Sequence, residues 1–357
     1  MTRLALLLCA TALPACSPEP AGNQTAAAPD ASATFAPTEV AARPAAHAAK
    51  PVVPRPGALK TFGDWTVGCD NTLRCELRSL APETGEPPDV TIAIARAAGP
   101  DARSEITLDG YEDAELDLAA DGRRLTGTDT GSPDRAVAAM ANARTLTAMI
   151  GDRTVASISL KGASAALRYV DAVQGRAGTV TALVARGLKP ANRVPAPPAA
   201  PTIVALTPGR SAAPPTAAQL ADMRRIAGCE AAADLEPPQA HALGGGKTLV
   251  LLPCSAGAYN ALSAVFVIEA GKVAPVRADA PVGFDPDGKG IPTVVNGDFK
   301  DGLLSSYAKA RGLGDCGVAQ QFVWDGNRLR LTEQRQMGEC RGNTDYIRTW
   351  TAAVVRR

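Results

Sequence analysis

The sequence predicts an α+β protein: two disulfide-stapled domains, each a mainly antiparallel β-sheet with one or two packed helices. Three observations carry that prediction. Short apolar runs punctuated by turn residues recur on both sides of a Pro-rich stretch at 189–215. Three segments carry helical periodicity or an Ala-rich run, two of them with a recognisable start. Six of the eight cysteines come as three local couples, Cys69 and Cys75, Cys229 and Cys254, Cys316 and Cys340, a usage typical of chains that fold in an oxidising compartment.

The N-terminus reads as an address. Met1-Thr2-Arg3 is followed by an apolar run from Leu4 to Leu13 and by Pro14-Ala15-Cys16. That is the layout of a bacterial signal peptide over residues 1–15, and Cys9 leaves with it. The run is about ten residues, short of the roughly 20 a spanning helix needs. Leu13-Pro14-Ala15-Cys16 is similar to a lipobox, so Cys16 is the expected lipidation site, with ordinary cleavage as the alternative. In the lipoproteins this start resembles, Ser after the cysteine goes with transfer to the outer membrane, so Ser17 implies its periplasmic face; a soluble periplasmic protein is the other reading. Residues 16–58 read as an Ala/Pro-rich, disordered tether, whose one aromatic residue, Phe35, and lack of a sustained apolar period leave too little to bury against its ordering entropy. His47 lies in it, which speaks against a catalytic or metal role.

The first domain, 59–188, opens with Phe62-Gly63-Asp64-Trp65-Thr66-Val67-Gly68-Cys69, a strand entering at an aromatic anchor. Asp70-Asn71-Thr72 turns the chain and Leu73 to Leu77 returns it. Cys69 and Cys75 then face each other; as the only cysteines of this domain, they are expected to pair. Further strands fit Val90–Ala95, Ile106–Leu108, Leu116–Leu118 and Val155–Leu160. Ser132-Pro133 opens a helix to about Arg144, and a second helix fits Ser164–Gln174. Asp109, Glu112, Asp113, Glu115 and Asp117 read as a solvated strand edge, lacking the spacing of a calcium loop.

The second domain, 216–357, follows the 189–215 linker, in which Ile203 to Leu206 could form a short docked strand. Thr216-Ala217-Ala218-Gln219 is a capping box, and Leu220, Met223, Ile226 and Ala227 make one apolar stripe. The predicted helix ends near Ala227 and delivers Cys229. A glycine turn at 244–246 leads into a strand, Thr248–Leu252, that carries Cys254. Ala264–Glu269 and Lys272–Val276 form a hairpin, and Asp325-Gly326 marks another. Four cysteines allow three connectivities; Cys229–Cys254 and Cys316–Cys340 are the expected pairs because each is local, and the others remain open.

Charge excludes one partner class. With 37 Lys and Arg against 36 Asp and Glu, the net charge is +1, and neither half carries the basic excess that nucleic acid requires. Chemistry motifs are weak. Gly246-Lys247-Thr248 lacks the earlier glycine of a phosphate loop and precedes a strand. Ser255 lacks a nucleophile elbow, and His241 is the only histidine of a globular part. Ser306-Tyr307-Ala308-Lys309 matches S-x-x-K without its companion motifs. Asp285 to Gly290 lacks the closing Glu of a calcium loop and reads as a surface turn. No C-x-x-C spacing points to zinc or redox work. No metal or cofactor is expected.

Several segments in combination resemble a family of bacterial envelope proteins known as domain of unknown function 1176. They are Phe62 to Val67 with Cys69-Asp70-Asn71, Ser159 to Tyr169, Lys309 to Gly317, Phe322 to Gly326, and Met337 with Cys340-Arg341-Gly342. The resemblance runs from about residue 60 to the end; Ala310 stands where the family pattern has Gly. The first domain is also similar to the invasion-associated locus B proteins, through the Trp-Cys opening and the Ser-Leu-x-Gly segment. The resemblance implies an exported protein and lends no catalytic residue.

The resulting expectation is a non-enzymatic envelope lipoprotein that binds or scaffolds. It would be held to the membrane by its lipid, with another envelope protein or a glycan as partner. Lys309, Arg311 and Asp315, polar among glycines beside a disulfide, are the expected binding surface, or else a charged hairpin corner of structural value. The rival is a hydrolase of peptidoglycan or glycan that uses Asp298, Asp301 and Asp315.

Overall fold

The computed structural model describes residues 52–86, 89–110, 116–125, 132–230, 235–284 and 290–357. The stretches expected to be a signal peptide and a tether, up to residue 51 and with Cys16 among them, lie outside these residues, as do 111–115 of the acidic stretch and 285–289 of the Asp-rich turn.

Strands β1 (Lys60–Phe62), β2 (Trp65–Cys69), β3 (Cys75–Ser79), β4 (Thr91–Arg96) and β5 (Ser104–Asp109) form one antiparallel sheet in chain order. The β2–β3 turn is built by one carboxylate. Asp70 Oδ1 accepts the Thr72 N–H at 2.8 Å, the Thr72 hydroxyl at 2.6 Å and the Arg74 N–H at 3.2 Å, an Asx-type turn. It sets Cys69 opposite Cys75, and the two are bonded.

A second sheet has the order β7-β6-β8-β9, from β6 (Asp117–Ala120), β7 (Arg123–Arg124), β8 (Thr145–Ile150) and β9 (Arg153–Ser159). Helices α1 (Pro133–Ala141) and α2 (Ala163–Val173) complete this half. Helix α1 ends before the expected Arg144 because Asp121 takes the N–H groups of Arg144 and Thr145, at 3.1 and 3.0 Å, and starts β8 there. Trp65, Val67, Ile92 and Ile94 pack with Val137, Met140, Leu146, Leu167 and Val170. Gly162 precedes α2 at φ 93°, and a Cβ there would sit 1.8 Å from the Phe62 carbonyl oxygen, so only glycine fits.

In the second half, β11 (Gln239–Gly244), β12 (Lys247–Ala256), β13 (Ala261–Glu269) and β14 (Lys272–Pro275) pair in order, and β15 (Thr293–Val295) joins β13 beside β14. Strand β12 is buried on both faces. Leu249 and Leu251 enter a core with Val265, Phe322, Leu331 and Trp350. Val250 and Leu252 pack with Phe266 and Met223 of α3 (Ala217–Ala227). The capping box forms: Thr216 accepts the Gln219 N–H at 3.3 Å, and the Gln219 side chain accepts the Thr216 N–H at 2.8 Å. The last sheet is β16 (Asp298–Lys300), β17 (Leu303–Lys309), β18 (Gly317–Trp324), β19 (Leu329–Met337) and β20 (Ile347–Thr351). The cysteine connectivity is Cys229–Cys254 and Cys316–Cys340.

Two stretches read as linker and tether are built into the fold. Within 189–215, β10 (Thr202–Ala205) pairs with the last strand, β21 (Ala353–Arg356), the one parallel pair of named strands among the described residues. Ile203 and Ala205 are buried on one side while Thr202 and Val204 face out, the alternation that docks a strand. At the end of the tether, the Gly57 N–H donates to the Thr349 carbonyl at 2.8 Å, and the Gly57 carbonyl accepts from Gln336 at 3.1 Å.

The halves keep separate apolar cores but share a polar seam, and Pro51–Arg357 is one compact unit. Arg341 donates to the carbonyls of Ala81 and Gly63 at 2.7 and 2.9 Å and pairs with Asp64. Arg348 meets Asp70 at 2.8 Å, Arg78 meets Asp345 at 2.8 Å, and Asn343 donates to the Ser79 carbonyl at 2.8 Å. Leu80 inserts among Cys316, Met337 and Tyr346. Each half thus completes hydrogen bonds of the other.

Candidate functional site

The residues expected to form the binding surface differ in exposure: Arg311 is exposed, Lys309 is partly buried and Asp315 is buried. Lys309 ends β17 with its Nζ 5.4 Å from the centre of the Tyr307 ring. Arg311 grips Asp315, Nε to Oδ1 at 2.6 Å. Asp315 is fully buried, and its Oδ2 also accepts the Gly342 N–H at 2.7 Å. The Arg311 hydrogen bond, with the Gly342 N–H, holds the Asp315 carboxyl below the usual carboxylate range. Asp315 is thus an internal clamp between the turn and the segment after Cys340, not part of an exposed surface.

The three carboxylates of the hydrolase reading do not converge. Asp298, the first residue of β16, stands opposite Ser305 of β17, and Asp301 sits in the turn before β17. Asp315 lies past the far end of β17, and a seven-residue strand spans roughly 20 Å. His241 stacks on Phe299 at 4.9 Å, and burial lowers its pKa. Ser306 is buried, with its hydroxyl accepting the Val295 N–H at 3.0 Å. Lys247 is tied to the Gly326 carbonyl at 3.0 Å and to Glu269 at 3.1 Å. Among the described residues, no three His, Cys, Asp or Glu side chains gather as metal ligands.

A site the sequence reading missed lies in the first half. A cavity of about 390 Å³ opens between the β4–β5 turn, the start of α1 and the loop after α2, and Arg96, Arg103, Asp134, Arg135, Thr181 and Arg186 line it. Its frame is a buried polar chain. Asp171, in the last turn of α2, is fully buried and accepts the N–H groups of Leu183, Val184 and Ala185 at 2.8, 2.9 and 2.9 Å. That clamp fixes the loop that presents Arg186. Gln174 donates to the Leu73 and Arg96 carbonyls at 2.8 and 2.9 Å and accepts from Arg176 Nε at 2.9 Å. Arg176 also caps the carbonyls of Ala97 and Gly99.

Arg96 is almost wholly buried. Its Nη2 donates to the Thr181 carbonyl at 3.0 Å and stands 3.7 Å from Asp134. Its Nη1 is buried without a hydrogen-bond partner among the described residues. Asp134 accepts the Ser104 N–H at 2.8 Å and stands 3.4 Å from Arg103. Burial alone would raise the Asp134 carboxyl, but hydrogen bonding from Ser104 and the charges of Arg96 and Arg103 hold it below its usual range. Burial lowers the Arg96 pKa, and burial together with the nearby Arg96 charge brings Arg176 down to about 10. The crowding of guanidinium groups is thus felt at both residues. Such an arrangement stabilises negative charge. The arginines are spread from 96 to 186, so no local motif announces them.

The family described as "Protein of unknown function (DUF1176)" matches residues 59–355. A protein of Escherichia coli (strain K12), "Uncharacterized protein YpfG", is 28% identical over 321 residues, covering 79% of this chain and 89% of that protein. No solved structure matches. The family match spans both halves, the polar seam and the arginine cavity, and the chain belongs to the DUF1176 family.

Proposed function

We propose that this is an exported envelope protein, held by lipid at Cys16 on the periplasmic face of the outer membrane, that works by binding or scaffolding rather than by catalysis. The observation that carries the reading is the arginine-lined cavity, set on a buried polar frame, in a fold where Asp298, Asp301 and Asp315 lie apart. Three disulfides support an oxidising compartment. The Ala/Pro-rich stretch before residue 51 would let the folded part stand off the membrane, up to roughly 100 Å if extended.

Two measurements test this. Mass spectrometry of the mature N-terminus is expected to find diacylglyceryl-modified Cys16; an unmodified start downstream of it would refute the anchor. Crosslinking in the intact envelope is expected to recover a specific partner or glycan, whereas turnover of purified peptidoglycan or glycan would refute the non-catalytic reading.

A further inference from the structure

We infer that the cavity beside Arg96 is a binding site for an oxyanion, a phosphate or carboxylate group carried by a small soluble ligand. This rests on the binding-protein reading and names the chemistry of its ligand.

The first argument is the unspent donor. Arg96 is 2% exposed, lines the cavity, and its Nη1 has no partner among the described residues. A buried charged donor left unpaired is costly; Nε and Nη2 are spent on the Ala102 and Thr181 carbonyls, and an oxyanion would supply Nη1 with a charge-assisted bond.

The second argument is charge. Arg96, Arg103, Arg135 and Arg186 line the cavity, and Arg176 lies close behind. The carboxylates facing them are Asp134, Asp101 at the rim, and Asp171 beneath. Asp171 spends both oxygens on three backbone N–H groups. Asp134 is shared between Arg96 and Arg103. Arg186 lies near enough to Arg96 to be felt there, yet forms no ion pair among the described residues. Positive charge is in excess inside the cavity.

The third argument is local. Helix α1 starts at the cavity, and its Ser132 N-cap makes no side-chain capping bond. The helix dipole therefore adds positive potential on the same side. A volume of about 390 Å³ suits a small ligand.

The test uses the mature, disulfide-intact protein. Sodium phosphate and sodium succinate are titrated separately at constant ionic strength against sodium chloride, with the arginine Nε–H signals followed by NMR and heats by calorimetry. Saturable shifts at Arg96 and Arg186 with phosphate, succinate or both are expected, and none with chloride. Which anion saturates identifies the ligand's anionic group. The double variant Arg103→Ala/Arg186→Ala is expected to weaken binding about tenfold or more. Both side chains are exposed, so its melting temperature in chloride should match the parent. Arg153→Ala, exposed on β9 and not lining the cavity, is the control and should bind like the parent. Absence of saturation with both anions, or equal binding by the double variant, overturns the inference. A neutral glycan recovered by crosslinking together with no anion binding would sink this inference and leave the binding reading standing.

Discussion

Asp171 organises its surroundings with one carboxylate. Fully buried, it satisfies three consecutive N–H groups of a loop with no regular structure of its own. Asp171→Ala orphans all three and is expected to cost at least about 3 kcal/mol, read by urea denaturation; Asp171→Asn, which keeps an acceptor, should cost less. Asp315 plays the same part in the other half. Its carboxyl is held below the usual range by Arg311 and the Gly342 N–H. Because the folded pKa is depressed, its stabilisation is complete above the unfolded carboxylate pKa and is lost as pH falls through the folded one. Melting curves from neutral to acidic pH should show the parent losing more stability than Asp315→Asn. In sequence Asp315 looks like a polar residue among glycines; its acceptor role depends on Gly342, brought close by the Cys316–Cys340 bridge.

Among the elements, those with strong local signals were legible. Helix α3 formed where its capping box and apolar stripe predicted, and the Asp-Gly turn joins β18 to β19. Strand β17 was not read, because its buried face carries Leu304, Ser306 and Ala308. A polar and a small residue on the inner side erase the alternation that marks a strand. Strand β10 was half-legible: Ile203 to Leu206 looked dockable, but its partner β21 lies at the other end of the half. The Cys316–Cys340 bridge, between residues 24 apart, closes a loop that contains β18 and β19. Replacing both cysteines with alanine is expected to cost about 3.5 kcal/mol by the chain-entropy relation, measured by urea denaturation under oxidising conditions.

At the scale of the molecule, the polar seam decides the architecture. Arg341 contributes three of its contacts, to Ala81, Gly63 and Asp64, and both members of the ion pair are nearly buried. Arg341→Ala leaves Asp64 and two carbonyls without that partner, and a loss of about 3 kcal/mol or more is expected. Calorimetry should show one unfolding transition in the parent and a split or broadened one in this variant, since each half has its own core.

What could be read along the chain is what short-range physics controls: the helix starts, the Asp and Gly turns, the mainly antiparallel class and the pairing of Cys69 with Cys75. Each depends on residues close along the chain, so the pattern and its cause share one window. The union of the halves, the burial of Asp315 and the gathering of Arg96, Arg103 and Arg186 are set by the folded chain alone. Those rest on side chains that reach across the fold. The Arg341–Asp64 contact joins residues 277 positions apart, and a hydrogen bond across that interval leaves no periodicity, cap or spacing in the sequence for local reasoning to find.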